Sequence, residues 1–190
     1  MRILLYLLLA SLPAFAQAPA PPTGQAGISN QPQPAQQPIS PRGEDRIQRE
    51  ARHELNMLPT YSLFDLLSYQ VQGSTVILSG KVRTLGLKSS AEDAVRKIEG
   101  VEKVVNNIQV LPPSPNDDRV RVEVARTLFN TPALTPYSMG AVPPIHIIVE
   151  GGHVTLVGNV NSQGDKDIAG VKANTVPGVL SVTNDLQVEK

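Results

Sequence analysis

The chain has no cysteine and no tryptophan in 190 residues, only three histidines, and 4% aromatic residues. Without a thiol there are no disulfides, no thiol catalysis and no lipid attachment at an N-terminal cysteine. Of the histidines, His146 and His153 fall on neighbouring strands of an expected hairpin. Two imidazoles with no third ligand make a poor metal site, so both read as strand or surface residues. Charge of either sign is not in excess: 17 Lys and Arg balance 17 Asp and Glu. Nucleic-acid binding, which needs a concentrated positive field, is therefore not expected. No glycine-rich phosphate loop is present, and no serine has a histidine and an acid at a meaningful spacing. Asp65, Asp165 and Asp167 stand alone and read as helix caps rather than general acids. The expectation is a protein with no catalytic residue, no metal and no cofactor.

Long apolar runs are missing too. The one apolar stretch, within Met1 to Ala16, follows a single Arg2, spans about ten residues and ends in Ala14-Phe15-Ala16, the form of a cleavable secretory signal. It is shorter than the ~20 residues a membrane span needs; an uncleaved anchor is the alternative. The expected location is a periplasm or beyond, with no transmembrane segment once the signal is removed. Residues 17–43 hold Pro19, Pro21, Pro22, Pro32, Pro34, Pro38 and Pro41 among Gln, Ala, Gly and Ser. Such a composition cannot bury enough apolar surface to offset its ordering entropy, and reads as an extended tether.

What the chain does have is a repeat. Gly73-Ser74-Thr75-Val76-Ile77-Leu78-Ser79-Gly80-Lys81-Val82 returns 78 residues later as Gly151-Gly152-His153-Val154-Thr155-Leu156-Val157-Gly158-Asn159-Val160. At the same offset, Gly100-Val101-Glu102-Lys103-Val104-Val105-Asn106 returns as Gly178-Val179-Leu180-Ser181-Val182-Thr183-Asn184. What persists in both copies is what the fold needs. The copies span 44–112 and 117–190, with 113–116 as a short stiff linker that holds them close together.

Each copy resolves into five elements. Ile47, Ala51, Leu55 and Leu58 share a helical face, and acids stand near its start. Val120, Val122 and Val124 alternate like a strand, but Val120, Val124 and Leu128 occupy the places of Ile47, Ala51 and Leu55, so the repeat predicts a helix. Two alternating strands follow, joined by Gly73-Ser74 or Gly151-Gly152, where glycine supplies the turn's positive φ. A helix comes next, carrying Leu87, Ala91 and Val95 or Ala169 and Ala173, ended by Gly100 or Gly178. A last alternating strand contains Asn106 or Asn184. A strand-helix-strand crossover makes that strand parallel to the second. The fold class is α+β: two modules, each helix-strand-strand-helix-strand, with a three-stranded mixed sheet and two helices on one face. Gly80 and Gly158 interrupt the second strand, for a bulge, a ligand or, the favoured reading, the close approach of a helix backbone.

The element order, Gly-x-Val-x-Leu-x-Gly-x-Val after the hairpin and Gly-Val-x-x-Val-x-Asn-x-(Ile/Leu)-x-Val at the end resemble the BON domain, a family named for bacterial osmotically induced and nodulation-type proteins. Gly80, Gly100, Asn106, Gly158, Gly178 and Asn184 carry the resemblance. It implies a non-enzymatic module of the bacterial envelope, in several members one that binds anionic phospholipid, and it fixes no catalytic or ligand triad. The resulting reading is a protein that associates with anionic phospholipid and supports membrane integrity under osmotic or envelope stress. The alternative is an adaptor that recruits an envelope partner through its exposed sheet faces or the long loop of the second module.

Two sets of residues are candidates for these roles. From Arg42 to Pro112 there are ten basic against nine acidic residues, and from Asn116 to Lys190 six against eight. Lipid contact is accordingly expected from Arg42, Arg46, Arg49 and Arg52 of the first helix, joined by Lys88, Arg96 and Lys97, at ~1 kcal/mol per basic residue near an anionic surface. In the second copy the first helix-to-strand connection is five residues longer. There Leu134, Tyr137, Met139 and Val142 either form an apolar contact for a partner or fold back over the sheet edge.

Overall fold

Four helices each begin at a hydroxyl side chain. Ser40, Thr84, Ser114 and Ser162 accept hydrogen bonds from the backbone N–H groups of Gly43, Leu87, Asp117 and Asp165, satisfying donors that the first turn leaves without partners. The computed structural model describes residues 40–140 and 142–189; the signal segment and nearly all of the tether lie outside them. Helix α1 spans Pro41–Asn56, α2 Leu85–Arg96, α3 Pro115–Phe129 and α4 Gln163–Asn174. Both α1 and α3 start earlier than expected because proline, whose fixed φ suits the first helical turn, opens each of them. Pro41 thus belongs to α1 rather than to the tether, and Pro115 to α3 rather than to the linker. The repeat assigned α3 correctly against its local alternation.

In the first module β1 (Leu66–Gln72) pairs antiparallel with β2 (Thr75–Val82), and β2 pairs parallel with β3 (Lys103–Asn106) and β4 (Gln109–Val110), which together form the last strand. The second module repeats this with β5 (Ile145–Glu150), β6 (His153–Val160) and β7 (Ser181–Val188). Val76, Leu78 and Val82 turn one face of β2 toward Ile47, Ala51, Leu87, Ala91 and Val95 of the helices. Val154, Leu156 and Val160 do the same against Val120, Val124, Leu128, Ala169 and Ala173. Each sheet therefore has a helix-covered face and a helix-free face.

Gly80 and Gly158 correct the expectation of a close helix. Each has a positive φ, 121° and 134°. A Cβ there would overlap the carbonyl oxygen of Leu66 or Pro144 at the start of the neighbouring antiparallel strand. The crowding atom is a strand backbone. Gly100 and Gly178, at φ 88° and 96°, also lie beyond the helix ends at Arg96 and Asn174, and serve the turn into the last strand.

Candidate functional site

The repeated asparagine joins the crossover helix to the last strand. Asn106 Nδ2 donates to the Lys88 carbonyl at 3.1 Å, and Asn184 Nδ2 to the Lys166 carbonyl at 2.7 Å. The Oδ1 of each accepts from the N–H two residues on, at Ile108 or Leu186. A second repeated device uses a carboxylate. Glu44 accepts from Gly73 N at 2.8 Å, while Asp117 accepts from Gly151 N and Gly152 N, both at 2.9 Å, so the first helix of each module holds its hairpin turn. Asp117 is only 4% exposed. Burial alone would raise its pKa, but the N–H groups of Gly151 and Gly152, with Ser114 and the Arg121 charge, hold it below the ordinary carboxylate value.

The seven cationic candidates divide into two groups. Lys88 Nζ donates to the Ile108 carbonyl at 2.7 Å. Arg46 binds Glu50 and Glu99 and donates to the Glu99 carbonyl at 2.8 Å. Arg96 pairs with Glu92 and Asp93. These three brace the first module. Arg42, Arg49, Arg52 and Lys97 are exposed. Arg42 and Arg49, seven residues apart, share the side of α1 opposite the buried Ile47, Ala51 and Leu55. Arg52 lies beside them, with Nε 3.4 Å from the Tyr69 hydroxyl.

The long connection corrects half of its candidate set. Leu134 is fully buried and Tyr137 is 6% exposed, both within the second core. The Tyr137 hydroxyl donates to Asp165 at 2.8 Å and accepts from Asn161 N at 2.8 Å. Neither offers surface to a partner. Val142 is half-buried, and Met139 is exposed.

Residues the sequence reading passed over join the modules. The connection between α1 and β1 runs along the outer edge of β5, where Ile147 N donates to the Leu63 carbonyl at 2.7 Å. Leu63 and Phe64 pack against the second module's core. Tyr61 stacks on His146 with ring centroids 5.5 Å apart, and its hydroxyl lies 3.5 Å from Nε2. His146 is therefore buried rather than on the surface. Asp65, expected as a helix cap, is buried and accepts from Ser62 Oγ at 2.6 Å and Arg83 N at 2.8 Å. A signal was present: Ile145-His146-Ile147-Ile148-Val149 lacks the polar alternation of a strand with one wet face, unlike Leu66-Leu67-Ser68-Tyr69-Gln70-Val71-Gln72. The helix-free faces share a cleft of about 390 Å³, lined by Leu66, Ser79 and Lys81 on one side and Ile148, Thr155 and Asp185 on the other.

Among the described residues no three His, Asp or Glu side chains come together as a metal site, and no helix is long and apolar enough to cross a membrane. No curated protein matches the chain. Two solved structures of CdsD, a structural protein of the type III secretion system of Chlamydia trachomatis, one of them its C-terminal domain, are similar at 13% and 14% identity. The alignments cover 75% and 76% of this chain and 96% and 93% of those chains, at TM-scores of 0.26 and 0.27. The BON domain family matches twice, at residues 63–112 and 116–190, and takes in both helix-strand turns, both Gly-interrupted strands and both strand-end asparagines: the chain belongs to the BON domain family, as a tandem pair.

Proposed function

We propose that the protein is an exported, non-enzymatic binding protein of the bacterial envelope, whose first module associates with anionic phospholipid and supports membrane integrity under osmotic or other envelope stress. Family membership supports an envelope-associated role of the phospholipid-binding type. The observation that carries the choice of surface is the outer side of α1, where Arg42, Arg49 and Arg52 are exposed. Three such residues, at ~1 kcal/mol each near an anionic bilayer, supply ~3 kcal/mol, roughly a hundredfold enrichment at the surface and a weak, salt-sensitive adsorption. For an adaptor role the long loop has less surface to offer, because two of the four residues assigned to it are buried, which leaves that reading the helix-free sheet faces.

Co-sedimentation with neutral and anionic vesicles tests the reading. Binding to anionic vesicles only, weakened as salt rises to about 0.15 M, is the expected result. Replacing Arg42, Arg49 and Arg52 together by Gln removes that binding and leaves the fold intact. Wild-type protein that binds neither vesicle, or a triple variant that binds as well as wild type, overturns the assignment.

A further inference from the structure

The contacts between the modules include the Leu63–Ile147 backbone bond, the packing of Leu63 and Phe64, the Tyr61–His146 stack and an ion pair between Lys81 and Glu150 at 2.5 Å. That ion pair is more than a third exposed on both sides and is worth at most ~1 kcal/mol. We propose that His146 is a proton-sensitive latch: as the pH falls, charge forming on its buried ring releases the Tyr61–Asp65 connection from β5 and opens the cleft between the helix-free sheet faces.

The ring is suited to this. Only 8% of His146 is exposed, and its Nδ1 has no hydrogen-bond partner among the described residues. The neutral ring tolerates that environment; the imidazolium must bury a second N–H donor along with its charge. The stack itself does not oppose the cation, since a ring face attracts positive charge. Burial does. Loss of water lowers the imidazole pKa below 6.5, against the Asp65 and Ser62 carbonyls and the Asp65 carboxylate, which favour the charged form.

The charged groups around the ring come from each element packed on it. The connection contributes Tyr61 and Asp65, with Asp65 held by Arg83 N and the Arg83 guanidinium 5.4 Å from the Phe64 ring. On the shared sheet face, the register places Asp185 in the His146–Val157 row, and Glu150, paired to Lys81, lies farther along β5. Because the closed state favours neutral His146, opening takes up a proton. Closure is stable above the free-histidine value and is lost as the pH falls through the lowered one. Ordinary carboxylates titrate near 4, so the range from about pH 6.5 to about pH 5 separates imidazole from carboxylate titration, and the individual histidines must be told apart.

The cysteine-free chain allows two dyes to be placed at Ser89→Cys on α2 and Lys172→Cys on α4. Energy transfer is then followed from about pH 7.5 to about pH 5, alongside far-UV circular dichroism and ring NMR of the three histidines. The expected result is a change in transfer centred below 6.5, with unchanged dichroism and His146 titrating at the same midpoint. His146→Phe, which stacks but cannot charge, holds the closed value throughout, and Tyr61→Ala shows the open value at neutral pH. Constant transfer in the wild type, a transition that accompanies loss of secondary structure, a midpoint shared only by His53 or His153, or a folded His146→Phe protein that still opens would each overturn the latch. The outcome is independent of lipid binding, since no vesicle is present.

Discussion

Asn184 donates its side-chain amide to the Lys166 carbonyl at 2.7 Å, and Gly170, one turn further along α4, leaves the room it needs: a Cβ at Gly170 would lie 2.8 Å from Asn184 Nδ2. In the first module the corresponding position is Glu92, whose carboxylate instead accepts from Asn106 Nδ2 at 3.0 Å. The two copies keep the asparagine, but among the described residues only Asn106 has a second acceptor for its amide. Asn184→Ala should therefore cost ~1–2 kcal/mol in urea unfolding, the usual range for a half-buried hydrogen bond. Gly170→Ala alone should gain little or lose stability, because the ~1 kcal/mol of helix propensity is offset by displacing the amide. In the Asn184→Ala background the same change should stabilise. Additive effects would show that glycine and asparagine are not coupled.

Two glycines, one in the hairpin turn of the first module and one within β6 of the second, should behave very differently. Gly158→Ala places a Cβ into the Pro144 carbonyl at φ 134°, and the strand cannot retreat without breaking the Asn159 N bond to that same oxygen at 3.1 Å. A loss of more than ~3 kcal/mol is expected. Gly73→Ala has φ 60° and nothing within 4 Å, so only the ~1 kcal/mol left-handed penalty applies. Thermal unfolding of both variants checks the order; equal losses would mean that positive φ alone explains both sites.

The difference between what was legible and what was not follows from range in sequence. α3 was readable because Val120, Val124 and Leu128 could be aligned with Ile47, Ala51 and Leu55, and Asn184 because it recurs in register with Asn106. Tyr137 was not. Its neighbours Pro136, Ser138 and Met139 are exposed, and only the fold brings Asp165 and Asn161 to its hydroxyl. His146 left a local trace in the unbroken apolar run around it, yet its partner Tyr61 is 85 residues away and no repeat pairs them. For the cationic residues, charge was visible, but not whether each charge was already bound: Arg46 and Lys88 look like Arg49 until Glu99 and the Ile108 carbonyl are placed beside them.

Tyr137→Phe tests the folded-back loop. The phenol loses the bond to Asp165 and leaves Asn161 N without its acceptor, a cost of ~1–3 kcal/mol. Burial first, then the Asp165 carboxylate, raises the Tyr137 pKa above 10.0, against the opposing Asn161 N–H. Folding therefore favours the protonated phenol. Its contribution is complete below 10 and is lost as the pH rises through the raised value. The wild type should lose stability in that range faster than Tyr137→Phe, measured as urea midpoints; parallel alkaline limbs would place the sensitivity elsewhere.

Asp117 governs the opposite limb. Its folded pKa lies below 3.8 because the Gly151 and Gly152 N–H groups outweigh the cost of burying the charge. The unfolded chain takes up a proton first as the pH falls, so the stabilisation is present above the unfolded value and disappears as the pH drops through the lowered folded one. Asp117→Asn retains one acceptor of similar size but places an amide where two N–H donors converge. It should lower stability at neutral pH by ~1.5–3 kcal/mol, the range for charge-assisted bonds. It should also flatten the dependence between about pH 5 and about pH 2, so that the two proteins converge in acid. Glu44, which holds only Gly73 N and is half-buried, should give a smaller loss on Glu44→Gln. If Glu44→Gln cost more than Asp117→Asn, the number of N–H groups held would not set the strength of these turn anchors, and the second module's stability would have to come from another contact on α3, with Arg121 and its 2.5 Å bond to the Val149 carbonyl the next residue to replace.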